Sequence, residues 1–364
     1  MSPADHQKGS VLVTGGAGYI GAHTAKALHD GGWRPVVYDN LSAGFREAVL
    51  WGEFVHGDVR DARALREAME HHGVQAVIHF ASLIEVGRSV ERPDLFWDTN
   101  VGGTAAILQA MQEAGVPRLV FSSTAAVYGQ PEGLAPDACL TEDLPKAPTS
   151  PYGDTKLACE RMIAAHCRAF GLSAVALRYF NACGADPSGL IGEAHDPETH
   201  LIPLTIRAGL GQGRPLTVFG ADFDTPDGTC LRDYVHVNDL ADAHVAALEV
   251  DLEAGRFEAA NVGTGAGFSV LQVIEAAEAV LGAPVPHAMG PRRAGDPQTL
   301  IADPSKAKVL LSWRPRSSTI EQIVASATAW HRNQRYGGPQ TAGLIPDGAE
   351  QPTSKEVIDQ EQTS

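Results

Sequence analysis

The first half of the chain alternates short apolar runs with longer stretches in which apolar residues recur at helical spacing. Bounded apolar runs predict buried β-strands, and six of them lie at residues 10–14, 33–38, 54–56, 76–80, 118–122 and 173–179. Helices are predicted between them at residues 19–30, 62–72, 101–114 and 152–170. Strands that alternate with helices favour a parallel sheet covered on both faces. The predicted fold class is therefore α/β, a Rossmann-type doubly wound parallel sheet.

The pattern changes after residue 181. Residues 184–203 are rich in Gly, Pro, Asp and His and predict a long loop, a feature that is usually functional in a compact domain. Helices are predicted beyond it near residues 239–248, 269–281 and 318–332. We interpret residues 9–182 as a dinucleotide-binding domain, to which segments near 231–265 return, and residues 183–336 as a smaller α/β substrate domain. Residues 337–364 lack apolar periodicity and predict a disordered tail.

Composition and charge narrow the class of protein. Of the 364 residues, 44% are hydrophobic and 20% charged, which excludes a chain that is disordered throughout. The 28 Lys and Arg against 44 Asp and Glu give a net charge of −16, which argues against nucleic acid or an anionic membrane as partner. No apolar run approaches the length of a transmembrane helix, and residues 1–10 lack the apolar core of a secretion signal. The five scattered cysteines form no C-x-x-C pair, so we expect a cytoplasmic protein.

Three glycines follow the first predicted strand and open the first predicted helix. Gly15, Gly18 and Gly21 have the spacing that brings backbone N–H groups against a pyrophosphate at a helix N-terminus. Asp39 closes the next strand, 18 residues beyond Gly21, where a carboxylate accepts hydrogen bonds from ribose hydroxyls. That carboxylate would repel a 2′-phosphate, so the expected cofactor is NAD rather than NADP. Asp58 and Val59, after the third strand, are candidates for contact with the adenine.

A Tyr–Lys pair begins the helix predicted at residues 152–170. Tyr152 and Lys156 are four residues apart and share one helix face, just after the helix-starting residues Ser150 and Pro151. A phenol has a reference pKa near 10, and we expect the neighbouring ammonium to lower it. Tyr152 would then take a proton from a substrate hydroxyl while hydride leaves the adjacent carbon. Thr124, at the end of the preceding strand, is placed to hydrogen-bond the reacting hydroxyl.

These motifs together resemble the extended short-chain dehydrogenase/reductase superfamily. They are TGGAGYIG at 14–21, DN at 39–40, HFA at 79–81, SST at 122–124, SPYxxxK at 150–156 and RYFN at 178–181. GTCLRDYVHV at 228–237 and RRxGD at 292–296 are more specific, and resemble the UDP-glucose 4-epimerases within that superfamily. The likeness runs in order from about residue 10 to about residue 335.

The resemblance implies a tightly bound NAD that takes a hydride from C4 of a UDP-sugar and returns it to the opposite face. The catalytic residues would be Tyr152, Lys156 and Thr124. Further cofactor contacts implied by the resemblance are Tyr19, Ile20, Asn40, Phe80, Ala81, Asn100, Ser122 and Tyr179. Implied substrate contacts are Asn181, His200, Leu201, Phe219, Arg232, Arg293, Asp296 and Leu300. The family also tends to form homodimers through a helix pair, for which helices 101–114 and 152–170 are the candidates.

Some positions depart from the family pattern. Ile84 and Glu85 stand where some epimerases carry a lysine that contacts the cofactor. Leu300 stands where the family varies between a bulky Tyr and smaller residues, so room for an N-acetyl group is expected.

Three alternatives remain open on these residues. Another UDP-sugar, such as a UDP-N-acetylhexosamine, UDP-pentose or UDP-uronate, would use the same C4 chemistry. A sugar-nucleotide dehydratase or decarboxylase is disfavoured, because Ala125 and Ala126 stand where those families place acidic residues. A non-catalytic NAD or nucleotide-sugar sensor is disfavoured by the intact Tyr–Lys pair.

The loop at residues 184–203 also contains histidines and acidic residues. His195, Asp196, Glu198 and His200 lack the ligand spacing typical of a zinc site, and we interpret them as a solvated loop over the substrate, without a metal.

Overall fold

The structure is a computed structural model that describes residues 8–131, 138–293 and 296–337. Its first six strands are β1 (Ser10–Thr14), β2 (Arg34–Asp39), β3 (Glu53–His56), β4 (Val74–His79), β5 (Arg118–Thr124) and β6 (Ser173–Tyr179). Shorter strands follow as β7 (Asn181–Cys183), β8 (Leu216–Phe219), β9 (Leu231–Arg232) and β10 (Tyr234–His236). The last four are β11 (Phe257–Val262), β12 (Phe268–Ser269), β13 (His287–Gly290) and β14 (Thr299–Leu300).

Eleven α-helices connect these strands in the part of the chain that the structure describes. They are α1 (Tyr19–Asp30), α2 (Ala62–His71), α3 (Val86–Glu91), α4 (Pro93–Phe96), α5 (Gly103–Ala114), α6 (Pro151–Phe170), α7 (Leu201–Gly209), α8 (Val237–Glu249), α9 (Val270–Leu281), α10 (Ser305–Leu310) and α11 (Ile320–Arg332). A π-helical segment, Trp97–Gly102, joins α4 to α5, and short 3-10 turns span Arg46–Ala48 and Ala125–Tyr128.

Seven parallel strands form the central sheet in the order β11-β6-β5-β4-β1-β2-β3. The strand order reverses beside β1, which places the crevice for a ligand at the carboxyl ends of β1 and β4. The predicted doubly wound Rossmann-type sheet is confirmed. β11 joins this sheet from within the segment that the sequence predicts to return to it.

Side chains alternate between the two faces of the sheet. On β1, Leu12 packs on the face covered by α2, α5 and α6, whereas Val11 and Val13 pack on the face covered by α1, α8 and α10. This alternation follows from the two-residue repeat of a strand, and burial of each such side chain contributes about 1.5–3 kcal/mol. The two apolar layers hold the strand ends, and the loops after them, in fixed positions.

A separate apolar cluster lies in the second half of the chain. It joins α7, α9 and α11 to the paired strands β8 and β13. β9 pairs with β14 in parallel and with β12 in an antiparallel manner, while β10 pairs with β7. The domain boundaries at residues 182 and 336 stay a prediction.

Several predicted boundaries differ from the structure by one or two residues, as at β2, β4 and α8. Larger differences occur as well, since the strands β7 to β14 and the helices α7 and α10 have no counterpart among the predicted elements. α3, α4 and the π-helical segment precede α5 without having been predicted, and the predicted loop 184–203 ends at residue 200 because α7 begins at Leu201. Pro203 lies in the first turn of α7, where a missing N–H breaks no helical hydrogen bond. The predicted tail lies outside the described residues apart from Gly337. Among the described helices, none is long and apolar enough to cross a membrane.

Candidate active site

The glycine loop between β1 and α1 is closed by contacts that exclude a side chain. Gly15 has φ +72°, and a Cβ there would lie 2.6 Å from the backbone nitrogen of Ala81. A Cβ on Gly21 would lie 2.2 Å from the carbonyl oxygen of Gly15. Gly18 is the N-cap of α1 and no side chain caps this helix start, so its first N–H groups face outward with the positive end of the helix dipole. The loop is built to hold an anion such as a pyrophosphate.

Asp39 ends β2 beside this loop, with its carboxylate buried. Its Oδ2 accepts from the N–H of Ala17 at 3.0 Å and its Oδ1 from that of Leu41 at 2.8 Å. Burial raises the pKa of Asp39, and the two N–H donors oppose that shift. Each oxygen keeps a further acceptor site, which fits the two hydroxyls of a ribose. The donor and acceptor set at this edge of the sheet therefore fits NAD.

Two of the predicted cofactor residues, Asn40 and Asp58, are linked to each other. Asn40 Nδ2 donates to Asp58 Oδ2 at 3.2 Å, and Arg60 pairs with the same carboxylate at 2.7 Å. These hydrogen bonds, that of Arg60 first, hold the pKa of Asp58 well below its usual range. Val59 is buried against Gly103 at the start of α5. The sequence did not single out Arg60, which fixes this side of the crevice.

Other predicted cofactor residues position the backbone of the crevice. The N–H groups of Phe80 and Ala81 both donate to Thr14 O, at 2.9 and 3.1 Å, which ties the end of β4 to that of β1. Asn100 is buried and holds the backbone of Leu83 through both atoms of its amide, at 2.8 and 3.1 Å.

The two residues at the start of α1 contribute differently. The Tyr19 hydroxyl donates to Gly184 O at 2.6 Å. Ile20 packs its side chain against the apolar layer, so its backbone N–H is the group left for a ligand.

Tyr152, Lys156 and Thr124 converge at the carboxyl end of β5. Ser150 caps α6, accepting from Gly153 N, and Pro151 follows as the first helical residue, which places Tyr152 at the helix start as predicted. The side chain of Thr124 lies near the Tyr152 phenol and lowers its pKa, against the larger effect of burial. Lys156 Nζ donates to Ser122 O at 2.9 Å and to Ser82 Oγ at 3.0 Å, and lies 6.0 Å from the centre of the Tyr152 ring. One of its three N–H groups remains for a ligand.

The expected lowering of the Tyr152 pKa is wrong for this chain. Burial raises the pKa of Tyr152 above its ordinary value, with Tyr179 adding to the rise and Thr124 opposing it. The Lys156 ammonium is directed at Ser82 and Ser122, and burial lowers its own pKa to about 8. Sequence reasoning did not find Ser82, because nothing in its local spacing connects it to Lys156, 74 residues away.

β6 connects the region around Tyr152 to the second half of the chain. Tyr179 pairs with Thr124 across the β5–β6 ladder, and its hydroxyl lies 2.7 Å from Ser122 Oγ. Asn181 then binds Asp233 O through its backbone N–H at 3.1 Å and its side-chain Nδ2 at 3.0 Å. The phenol site is thereby joined to the residue that follows Arg232.

Arg232 and Arg293 share the carboxylate of Asp296. Arg232 donates to Asp296 Oδ1 at 2.6 Å and Arg293 to Oδ2 at 2.8 Å. Asp233, the neighbour of Arg232, instead accepts from the backbone N–H groups of Thr264, Gly265 and Ala302. Two guanidinium groups held side by side fit a diphosphate.

Three apolar residues lie near these arginines. The Arg293 guanidinium lies 5.1 Å from the centre of the exposed Phe219 ring. Leu300 is the register partner of Arg232 in the β9–β14 pair. Leu201 is the first residue of α7, directly after His200. The predicted substrate residues in the second half of the chain therefore lie in two places. His200 and Leu201 are at the start of α7, and the others are on the loops and short strands around Arg232.

His200 belongs to a cluster in the loop between β7 and α7. Its Nδ1 lies 2.9 Å from Glu193 Oε1 and 2.9 Å from Glu198 Oε1. His195 Nδ1 lies 3.0 Å from the same Glu193 oxygen. Burial opposes protonation of His200, but the two carboxylates outweigh it and raise its pKa to about 10. Sequence reasoning missed Glu193, although E-x-H occurs twice in this loop, at 193–195 and 198–200.

Comparison with known proteins gives consistent likenesses. Residues 11–263 match the model of the NAD dependent epimerase/dehydratase family. The chain is 48% identical over 332 residues to a UDP-glucose 4-epimerase of Rhizobium meliloti strain 1021, covering 91% of this chain and 100% of that relative. It resembles the crystal structure of the Brucella ovis UDP-glucose 4-epimerase in complex with NAD, with TM-score 0.85 and 48% identity over 88% of this chain and 98% of that one.

A more distant solved structure holds both kinds of ligand. The UDP-glucose 4-epimerase of Bifidobacterium longum in complex with NAD+ and UDP matches with TM-score 0.84 and 37% identity, covering 90% of this chain and 100% of that one. These likenesses extend over about nine-tenths of the chain, beyond the residues that the family model matches.

Proposed function

Because the chain belongs to the NAD dependent epimerase/dehydratase family, we propose that it interconverts UDP-glucose and UDP-galactose by inverting C4 of the sugar. The observation that carries the proposal is the buried Tyr152 phenol, with Thr124 and Lys156 beside it, at the strand end that faces the glycine loop. The proton acceptor for a sugar hydroxyl and the glycine loop that would bind the dinucleotide then lie in one crevice.

Bound NAD would accept a hydride from C4 and return it to the opposite face. Gly15, Gly18 and the start of α1 would bind its pyrophosphate, and Asp39 would bind a ribose. The remaining N–H of Lys156 is available to the second ribose. The chain's own chemistry is then the transfer of one proton at the sugar O4.

Tyr152 is the group that would carry that proton. In the chain by itself burial favours the neutral phenol, which suits the return step, in which the phenol gives its proton back to the 4-keto oxygen. The forward step needs phenolate, and the positive charge on the nicotinamide of bound NAD would favour that form. Thr124, beside the phenol, also favours it.

The UDP moiety would be held apart from the reacting sugar. Arg232 and Arg293 would grip the diphosphate, with Asn181 and His200 as further donors and with Leu201 and Phe219 against the uridine. An anchor confined to UDP leaves the sugar free to turn, so that either face of C4 can meet the same nicotinamide. This division of roles is why we propose residues 9–182, together with the segments near 231–265 that return to them, as the cofactor domain and the rest of residues 183–336 as the substrate domain.

The test is conversion of UDP-galactose by purified, desalted protein without added NAD, resolved by chromatography. We expect UDP-glucose to appear, which requires both the reaction and a retained cofactor. Activity that needs added NAD would support the proposed reaction but contradict tight retention of the cofactor. Conversion of UDP-xylose, UDP-glucuronate or UDP-N-acetylglucosamine alone would move the assignment to another UDP-sugar. Binding of NAD without conversion of any of these sugars would contradict the enzyme and favour the sensor.

The N-acetylated sugars are a second candidate substrate class, favoured by Leu300. This side chain lies at intermediate exposure on β14 and packs towards the cluster of Val127, Tyr128 and Leu157. A leucine here leaves more space beside the sugar than a tyrosine would. Activity on UDP-N-acetylglucosamine beside activity on UDP-glucose is the expected result.

We also propose a homodimer formed through the surface around α5 and α6. Val90 and Trp97 are 64% and 45% exposed on α3 and the π-helical segment, which both pack against α6. Large exposed apolar side chains on neighbouring elements are typical of an interface. Sedimentation of the wild type should give a dimer, and Trp97→Glu should shift it towards the monomer.

The proposed location is the cytoplasm. Cys159, Cys167, Cys183 and Cys230 are buried thiols without disulfide partners, which suits a reducing compartment. Fractionation of the source cells with an antibody to this chain would test that location.

A further inference from the structure

Four side chains of the loop between β7 and α7 bring their ligand atoms together. Glu193, His195, Glu198 and His200 each offer one oxygen or nitrogen, and these four atoms all lie within 4.8 Å of one another. Asp196, which the sequence grouped with them, is exposed and stands apart from the cluster. The set is therefore two carboxylates and two imidazoles, drawn from two E-x-H pairs.

Both carboxylates are removed from solvent. The side chains of Glu193 and Glu198 are 4% and 1% exposed, whereas those of His195 and His200 are 24% and 45% exposed. Glu198 Oε2 is buried and has no hydrogen-bond partner among the described residues. The Glu198 carboxylate is therefore paired with His200 through Oε1 only, and a buried polar atom without a partner is unfavourable.

Hydrogen bonds from the two imidazoles do not satisfy all of the acceptors in this cluster. His200 Nδ1 lies at 2.9 Å from an oxygen of both glutamates, yet it carries at most one hydrogen. Glu193 Oε1 faces the Nδ1 atoms of both His200 and His195, at 2.9 and 3.0 Å. In a tetrahedral zinc site with bonds near 2.0 Å, neighbouring ligand atoms lie about 3.3 Å apart. The three close pairs need a few tenths of an ångström of expansion to admit an ion, and the remaining ligand atoms, within 4.8 Å of one another, need to move closer.

We propose that Glu193, His195, Glu198 and His200 bind a divalent metal ion, and that this ion is zinc. Imidazole nitrogen and carboxylate oxygen are both zinc ligands, and four of them complete a tetrahedral coordination with no open position. Two carboxylates and one divalent cation sum to zero charge, with both histidines neutral. The ion would also neutralise the buried Glu198 carboxylate, one oxygen of which has no hydrogen-bond partner among the described residues.

The location gives the site a structural role. The ion would join residue 193 to residue 200, the residue before α7, and so fix the loop that precedes Leu201. With Nδ1 on the metal, Nε2 of His200 would keep its proton and remain a donor towards the substrate side. On its other side, His195 makes an edge contact with the Tyr19 ring, 6.1 Å between centres. The site goes beyond the proposed epimerase function, because it takes no part in proton or hydride transfer.

The experiment measures metal in the full-length protein purified without chelators. We expect elemental analysis to find about one zinc per chain, and calorimetric titration of ZnCl2 into EDTA-stripped protein to give one site. Glu198→Gln and His195→Asn each remove a ligand, and should weaken zinc binding by more than about 100-fold. Glu91→Gln and His287→Asn are the matched controls on exposed side chains, and should bind zinc as the wild type does.

Thermal unfolding gives a second readout that is independent of activity. Zinc should raise the unfolding midpoint of the wild type and of both controls by about 3–6 °C, and that of the two ligand variants by less than about 1 °C. Equal zinc binding in the wild type and the ligand variants would overturn the proposal, as would absence of binding by the stripped wild type. If the variants do not fold, X-ray absorption at the zinc edge of the wild type decides: two imidazoles with two carboxylate oxygens support the site, and any other ligand set overturns it.

Discussion

At the scale of single residues, the Tyr152 phenol is the group on which the proposed chemistry depends. Replacing it by phenylalanine keeps the ring, its burial and the start of α6, but removes the phenol oxygen near Thr124. We expect Tyr152→Phe to lower kcat by about 100- to 10,000-fold, the range for loss of a general acid–base group. The absorbance of released nucleotide should show unchanged NAD content.

Tyr234→Phe is the matched control, since it removes another buried phenol oxygen away from Lys156. It should leave kcat within a factor of a few of the wild type. Wild-type turnover in Tyr152→Phe would reject the assigned proton carrier.

The choice of sugar also depends on a single residue, Leu300. Leu300→Tyr adds a ring beside the sugar anchor next to Arg232. We expect it to lower kcat/KM for UDP-N-acetylglucosamine by at least about 10-fold and to change that for UDP-glucose little, because a single steric misfit in a pocket discriminates by about 10- to 200-fold. Parallel progress curves with the two sugars measure the ratio, and an equal fall for both would mean that Leu300 does not face the N-acetyl group.

At the scale of elements, a buried ion pair locks the helix that carries Tyr152 onto the sheet. Glu160 of α6 accepts from Arg178 of β6 at 2.6 and 2.9 Å and from Ser123 of β5 at 2.6 Å. Arg178 also donates to the Tyr128 hydroxyl at 3.0 Å. Because Ser123 precedes Thr124, this network sets the position of Thr124 relative to Tyr152.

Removing the cation from this network should destabilise the fold. Arg178→Met leaves the Glu160 carboxylate buried without its partner, so we expect a loss of about 3–5 kcal/mol in the free energy of unfolding. Arg161→Met, on the exposed face of the same helix, should change it by less than about 0.5 kcal/mol. Urea unfolding of the two variants gives the comparison, and equal midpoints would show that the pair adds nothing to stability.

The same elements show what local sequence pattern can determine. β1, α1 and β6 were predicted to the residue, because their apolar runs end at glycines, aspartates or a helix cap that act within a few residues. β11 pairs with β6 across 78 positions of the chain, from Ser173–Tyr179 to Phe257–Val262, and such pairing leaves no local signal beyond an apolar strand. α3, α4 and the π-helical segment were missed because each is short and half exposed.

The residues of the candidate site also fall into those that local sequence predicts and those that it does not. The glycine loop, Asp39 and the Tyr152–Lys156 pair follow from spacing, since each lies within one turn or one βα unit. The partners Ser82, Glu160 and Glu193 were not predicted, because their roles depend on contacts made only after folding. The direction of the Tyr152 pKa was wrong for that reason: spacing places Lys156 nearby, but the fold directs its Nζ at Ser82 and Ser122.

At the scale of the whole molecule, the two faces of the sheet bury imidazoles that stay neutral. Burial lowers the pKa of His79 to about 3, with Lys156 adding to the effect, and burial lowers that of His23 and of His244 to about 4. His79 lies between Thr14 and Thr104, and His244 between the rings of Phe80 and Tyr179. These histidines link α1, α8 and the strand ends around the crevice.

A histidine whose folded pKa lies below its unfolded value of 6.5 stabilises the fold above pH 6.5, and that contribution is lost as pH falls towards the folded pKa. Each of the three should therefore reduce the free energy of unfolding by about 1.4 kcal/mol per pH unit below 6.5. The protein should lose stability steeply between pH 6.5 and pH 4. Urea unfolding at pH 7.0 and 5.5 measures the loss.

His244→Phe assigns part of that loss to one side chain. The variant keeps an aromatic ring between Phe80 and Tyr179 but has no group to protonate, so its stability should fall by about 1.4 kcal/mol less than that of the wild type between pH 7.0 and 5.5. His287→Phe, on the exposed strand β13, should follow the wild type. If His244→Phe loses as much stability as the wild type, the buried imidazole is not a source of acid sensitivity, and the carboxylates of an acidic chain would have to account for it.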